Sequence, residues 1–113
     1  MKNLNRFAAV LIVTPLALMS GVSFAGGDAD NGETLAATCA GCHGADGNST
    51  IETIPKLAGQ YESYLIKALT DYRPGGRQNA IMAGFAAALS NQDIRDLAAW
   101  FSSQESSLQV LDK

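Results

Sequence analysis

One short run in this sequence carries chemistry: Cys39-Ala40-Gly41-Cys42-His43. On a helix, positions 39, 42 and 43 are i, i+3 and i+4, so the two thiols and the imidazole share one face. Thiols at that spacing can each add to a vinyl group of a single haem. The ring is then fixed against the helix, and the imidazole just beyond can reach the iron. C-x-x-C-H is the spacing of c-type haem attachment. Three rival chemistries account for less of it. A thioredoxin-like redox pair also uses C-x-x-C, but beside a βαβ pattern that this chain does not offer. A structural zinc site takes four ligands, and without the amino-terminal leader the chain has only three good ones, with a single His. A plain disulfide, the ordinary use of two Cys in a small exported domain, leaves His43 without a role.

Iron in haem takes two axial ligands, and His43 is the only His in the chain. Met1 and Met19 fall in the leader, which leaves Met82. A single Met is ordinarily core filler. Met82, however, stands in Asn79-Ala80-Ile81-Met82-Ala83-Gly84, a stretch that reads as a loop outside the main apolar stripes. A His/Met pair is a standard electron-transfer ligation, and the thioether raises the reduction potential. A ligating His also needs an acceptor for its other ring N–H. Pro55 offers a carbonyl and a stiff φ, although an ordinary turn proline accounts for it about as well.

The elements that must position these groups read as helices. Asp30 to Cys42 forms the first, with Asp30 and Glu33 as a capping-box variant and Leu35, Ala36 and Cys39 at helical spacing. Gly44 to Gly59, rich in Gly, Asn, Ser and Thr, reads as a loop. From Gln60 to Tyr72, the residues Tyr61, Tyr64, Leu65, Ala68, Leu69 and Tyr72 make one apolar face, which Arg73-Pro74-Gly75-Gly76 stops. Ser90 with Asp93 starts a last helix to about Gln104, striped by Ile94, Leu97, Ala98 and Phe101. Phe85 to Leu89 adds a short helical turn before it. Thr50 to Ile54 is the only β-leaning run, and the tail from Glu105 is expected to fray. The fold class is all-α.

The 113 residues suffice for one domain. Lys2 and Arg6, the apolar run Phe7 to Met19 and the small-x-small end Ser23-Phe24-Ala25 read as an export signal, residues 1–25, leaving a domain of residues 26–113. The rival, an uncleaved anchor, needs about 20 apolar residues; this run is shorter, holds Pro15 and is followed by Ser20 and Ser23. Removing the leader takes Lys plus Arg from 8 to 6 against 11 acidic residues, a net charge of about −5. Such a surface disfavours nucleic acid and anionic membrane faces.

Taken together, Cys39 to Gly47, Ile54-Pro55-Lys56-Leu57-Ala58-Gly59-Gln60-Tyr61, Met82, and Ala86-Ala87-Ala88-Leu89-Ser90-Asn91-Gln92-Asp93-Ile94 resemble the class I c-type cytochromes, in particular the cytochrome c4/c553-like group. The resemblance covers about Gly27 to Gln104. It implies a class I cytochrome c fold, three main helices and short helical turns around one haem c bonded to Cys39 and Cys42. It implies iron held by His43 and Met82, with the Pro55 carbonyl holding His43. It sets Gly32 and Leu35 against Leu97 and Trp100 where the first and last helices cross, with Trp100 shared between that crossing and the haem edge. The c4-type proteins carry two such domains in tandem, and this chain resembles a single-haem form. The implied function is a one-electron carrier, not an enzyme, in the periplasm. It is expected as a monomer that docks transiently on redox proteins, with no nucleic acid and with membranes met only through membrane-bound partners. Lys56, Lys67, Arg73 and Arg77 are candidates to border the docking edge, although ordinary solvated surface charge accounts for each at least as well. The alternatives are the electron-accepting subunit of a periplasmic dehydrogenase of a sulfur compound or alcohol, and a haem catalyst or gas sensor.

Overall fold

The computed structural model of the protein describes residues 26–108; the export-signal reading falls on residues outside it. Five helices and no strand are present among the described residues: α1 (Ala29–Ala36), α2 (Ala40–His43), α3 (Glu62–Tyr72), α4 (Ala80–Ala87) and α5 (Asn91–Ser103). The expected all-α class holds. Thr50 to Ile54 forms a turn instead of a strand, closed by the Ile54 N–H donating to the Ile51 carbonyl (3.0 Å).

The longest helix, α5, organises the rest. Its start follows the sequence closely: the Ser90 hydroxyl accepts from the Asp93 amide (3.0 Å), and the Asp93 carboxylate accepts from the Ser90 amide (2.8 Å). Ile94, Leu97, Ala98 and Phe101 are buried along one stripe. Leu97, Ala98 and Phe101 join Ala36 of α1 and Leu65 of α3 in the central cluster. The approach of α1 is close enough to require glycine. A Cβ on Gly32 would lie 2.0 Å from the Asp96 carbonyl oxygen and 2.9 Å from Trp100 Cβ.

The first helical stretch differs from the sequence reading in two ways. Its cap is Asp28, whose carboxylate accepts from the amides of Asp30 and Asn31, so the helix begins before the Asp30/Glu33 pair. It then breaks at residues 37–39. The Thr38 hydroxyl donates to the Leu35 carbonyl (3.0 Å), and the amides of Thr38 and Cys39 reach back only three residues. This tighter turn separates α1 from α2. The segment around Met82 also departs from expectation: it is the first turn of α4. Ala80–Ala87 is apolar on every side, so it shows no helical stripe to read. The tail is held at its start, since Asn48 Nδ2 donates to the Glu105 carbonyl (2.9 Å) and Asn48 Oδ1 accepts from the Ser107 amide (2.8 Å).

Candidate haem site

The short helix α2 fixes the attachment residues. Cys39 is its amino-terminal flank, Cys42 lies in it and His43 ends it, followed by Gly44 at φ 84°, where glycine turns the chain away. The two cysteines are not joined to each other as a disulfide. Burial pushes the Cys39 thiol up; contact with the Thr38 hydroxyl opposes this and the nearby Cys42 adds to it.

The loop from Gly44 to Gly59 wraps back on His43. The imidazole is buried, and its Nδ1 lies 2.7 Å from the Pro55 carbonyl oxygen. A carbonyl only accepts, so Nδ1 carries the proton and Nε2 keeps its lone pair for a metal. Two further contacts hold this loop. The buried Ser49 hydroxyl donates to the Cys42 carbonyl (3.0 Å), and Lys56 Nζ donates to the Ser49 carbonyl (2.8 Å). The Gly47 carbonyl accepts from the amides of Leu57 and Ala58. At φ 81°, Gly47 leaves no room for a Cβ, which would stand 2.7 Å from the Ala58 nitrogen and 2.8 Å from Phe101.

Cys39, Cys42, His43, Pro55 and Met82 all line one cleft of about 320 Å³, at the small end of the usual range for ligand sites, about 300–1,000 Å³. Leu65, Leu97, Ala98 and Phe101 give it an apolar floor. Tyr64, Ile81 and Phe85 stand on its walls with 47, 69 and 49 % of their surface exposed, large apolar faces that a flat hydrophobic ring would cover. Two thiols one helical turn apart beside an imidazole, on apolar walls that Met82 shares, fit a covalent haem. A bare metal ion fits less well: no group of three His, Cys, Asp or Glu side chains among the described residues could hold one.

Other expected site residues fall differently. Lys56 and Arg77 line the cleft, but Lys67 and Arg73 do not. Lys67 pairs with Asp71 four residues on (2.6 Å), and Arg73 bonds the Leu89 carbonyl and Asn91. Trp100 packs at the α1–α5 crossing and points its indole N–H at the Ala45 carbonyl (3.4 Å), outside the cleft lining. Sequence reasoning missed Ser49 and Asn79; Asn79, a short polar residue before a helix, carries the usual signal of a local cap, whereas Ser49 lies mid-loop and carries none.

The cytochrome c family matches residues 29–105 of this chain. The chain belongs to the cytochrome c family. It is 45 % identical over 109 residues to cytochrome c4 of Pseudomonas aeruginosa, covering 96 % of this chain and 53 % of that protein. It is 36 % identical over 103 residues to the cytochrome subunit of sulfide dehydrogenase of Chlorobaculum tepidum, covering 81 % of this chain and 93 % of that one. The crystal structure of reduced recombinant cytochrome c4 from Pseudomonas stutzeri superposes with a TM-score of 0.70 at 45 % identity, over 76 % of this chain and 50 % of that one. The chain thus spans about half the length of the cytochrome c4 relatives it matches. Membership of this c-type family, with the Cys39/Cys42/His43 turn, gives the chain one covalent haem c. No helix among the described residues is long and apolar enough to cross a membrane.

Proposed function

We propose that the protein is a one-electron carrier whose single haem c is held by His43 and Met82, with Pro55 orienting the histidine. The observation that carries this reading is the 2.7 Å contact from His43 Nδ1 to the Pro55 carbonyl, on a cleft that Met82 also lines. Bound there, the haem supplies reversible one-electron redox chemistry. The chain supplies the rest. The Pro55 carbonyl fixes the His43 tautomer and ring angle and raises its basicity as a ligand. The Met82 thioether is a soft second ligand that favours the reduced state. The apolar floor of Leu65, Leu97 and Phe101 excludes water and lowers the local dielectric. His43 and Met82 together would hold the iron and leave a substrate no place on it, which supports a carrier rather than a catalyst.

In the same reading, residues 1–25 are a cleaved leader, 26–113 the domain, and the periplasm its compartment. Partners are redox proteins that dock transiently at the cleft edge. A second role, the electron-accepting subunit of a dehydrogenase, draws support from the similarity to the Chlorobaculum subunit. Co-purification with a flavin- or quinone-containing protein would favour it.

The test is spectroscopic. Pyridine haemochrome should report two thioether bonds, and the oxidised protein should show a weak band near the red edge from sulfur on iron. In Met82→Ala that band should vanish, the midpoint potential should fall, and the reduced protein should bind carbon monoxide. An unchanged potential without carbon monoxide binding would remove Met82 from the site.

A further inference from the structure

We infer that Asn79 and Arg77 are positioning residues for Met82, holding the segment between α3 and α4 in the arrangement that brings the thioether to the haem cleft. The inference rests on Met82 being the axial sulfur, as proposed above, and adds what keeps it there.

Helix α4 cannot hold itself. Its eight residues are fewer than the 12–15 or so an isolated helix needs, with Gly84 in the interior. Only Ala86 is fully buried; Ala80, Gly84 and Ala87 are exposed, and α3 is the main helix it packs against. Its first turn therefore depends on its cap. Asn79 is extended (φ −160°, ψ 112°), and its side-chain oxygen accepts from the amides of Ile81 (3.1 Å) and Met82 (3.0 Å). One of the two capped amides is Met82's own. The Asn79 carbonyl also accepts from the Ala83 amide (2.8 Å), so Met82 is bracketed by bonds to a single residue.

The approach to that cap runs through Pro74-Gly75-Gly76, whose two glycines have no side chain to anchor it. Arg77 supplies one. Its amide donates to the Asp71 carbonyl (3.0 Å), and its guanidinium lies 5.2 Å from the Tyr72 ring centre and 5.9 Å from that of Tyr64. The two rings stand two turns apart on α3, so the planar guanidinium spans them as a flat cation on aromatic faces. Both its terminal nitrogens also donate, at a long 3.4 Å, to the Tyr64 hydroxyl. Arg77 and Asn79 themselves line the cleft. The path from α3 to the sulfur is thus stack, two residues, cap, Met82.

The experiment uses the full haem-loaded protein and reads two quantities: the red-edge band when oxidised, and the carbon monoxide binding rate when reduced. Asn79→Ala should bind carbon monoxide about fivefold faster, the factor expected for loss of an amino-terminal cap, with a weaker band. Asn79→Asp keeps the acceptor and should restore both. Arg77→Gln should move both in the direction of Asn79→Ala. Met82→Ala is the reference. If it leaves band and rate unchanged, the ligand assignment fails and this inference with it. If it behaves as proposed while Asn79→Ala matches the parent, or Asn79→Asp does not restore, the role of Asn79 is overturned. Arg77→Gln with parental band and rate removes Arg77.

Discussion

At the scale of single residues, the haem turn is legible because its chemistry is local. Cys39, Cys42 and His43 lie within one helical turn, and their types and spacing need no knowledge of the rest of the fold. Pro55 is a different case. Its useful atom is a backbone carbonyl that any residue has, so the sequence could offer it only as one reading, and the 2.7 Å contact with His43 is what distinguishes it. This makes a prediction. Pro55→Ala keeps the carbonyl and gives up only stiffness, so haem incorporation and the red-edge band should stay near parental. Haem loss in that variant, measured as haem per polypeptide, would show that ring rigidity and not the carbonyl is what matters. Ser49 was invisible for a related reason. A serine in a loop reads as surface, and its burial follows from two local bonds, to the Cys42 carbonyl and from the Ile51 amide.

Among the elements, α5 was readable and α4 only at its end, where Phe85 to Leu89 was expected to make a short helical turn, and the contrast is physical. The α5 sequence alternates buried and solvated positions with helical period and carries a reciprocal cap at Ser90 and Asp93. The α4 sequence has no polar side to set against an apolar one, so its first turn, cap included, read as a loop. The join of α1 to α5 hides a second feature. Asp96 is buried on α5 with 2 % of its surface exposed, and its carboxylate accepts from the Asp28 amide (2.8 Å), Asn31 Nδ2 (2.7 Å) and Gln92 Nε2 (2.7 Å). Burial opposes its charge, but the three donors, with Arg95 nearby, outweigh that and hold its carboxyl below the usual range. Two of the donors come from α1 and its cap, a long way off in sequence, so a charged residue on a helix had no visible reason to be inside. A depressed folded-state value means stability that is present above the unfolded value of about 3.9 and lost as pH falls through the folded one. Asp96→Asn, which sets an amide donor among donors, should cost about 1–3 kcal/mol at neutral pH. That difference should narrow below about pH 4. Denaturant titrations of both proteins across pH measure it, and a gap of constant size would contradict the charge-based account.

For the whole molecule, the apolar interior is thin. Of the eight buried apolar residues among those described, Ala36, Ala58, Ala86 and Ala98 are alanines, which contribute little transfer free energy each. The larger side chains Tyr64, Ile81 and Phe85 are gathered on the cleft. A domain so composed draws much of its stability from the covalent ring those side chains would cover. The Cys39→Ala/Cys42→Ala double variant, unable to form the thioethers, should therefore lose most of its cooperative thermal transition and bind hydrophobic dyes, as seen by circular dichroism and fluorescence. A sharp transition near the parental temperature would show that the polypeptide core is sufficient alone.

The clamp of Asn48 on Glu105 and Ser107 has a consequence for how the chain acquires its shape. The loop that orients the imidazole is closed partly by residues some sixty positions later, and α1 and α3 both find their packing partner in α5. During synthesis α1 and α3 emerge before the helix that both pack against. Until α5 is made that partner is missing, and the thiols of Cys39 and Cys42 stay accessible over that interval.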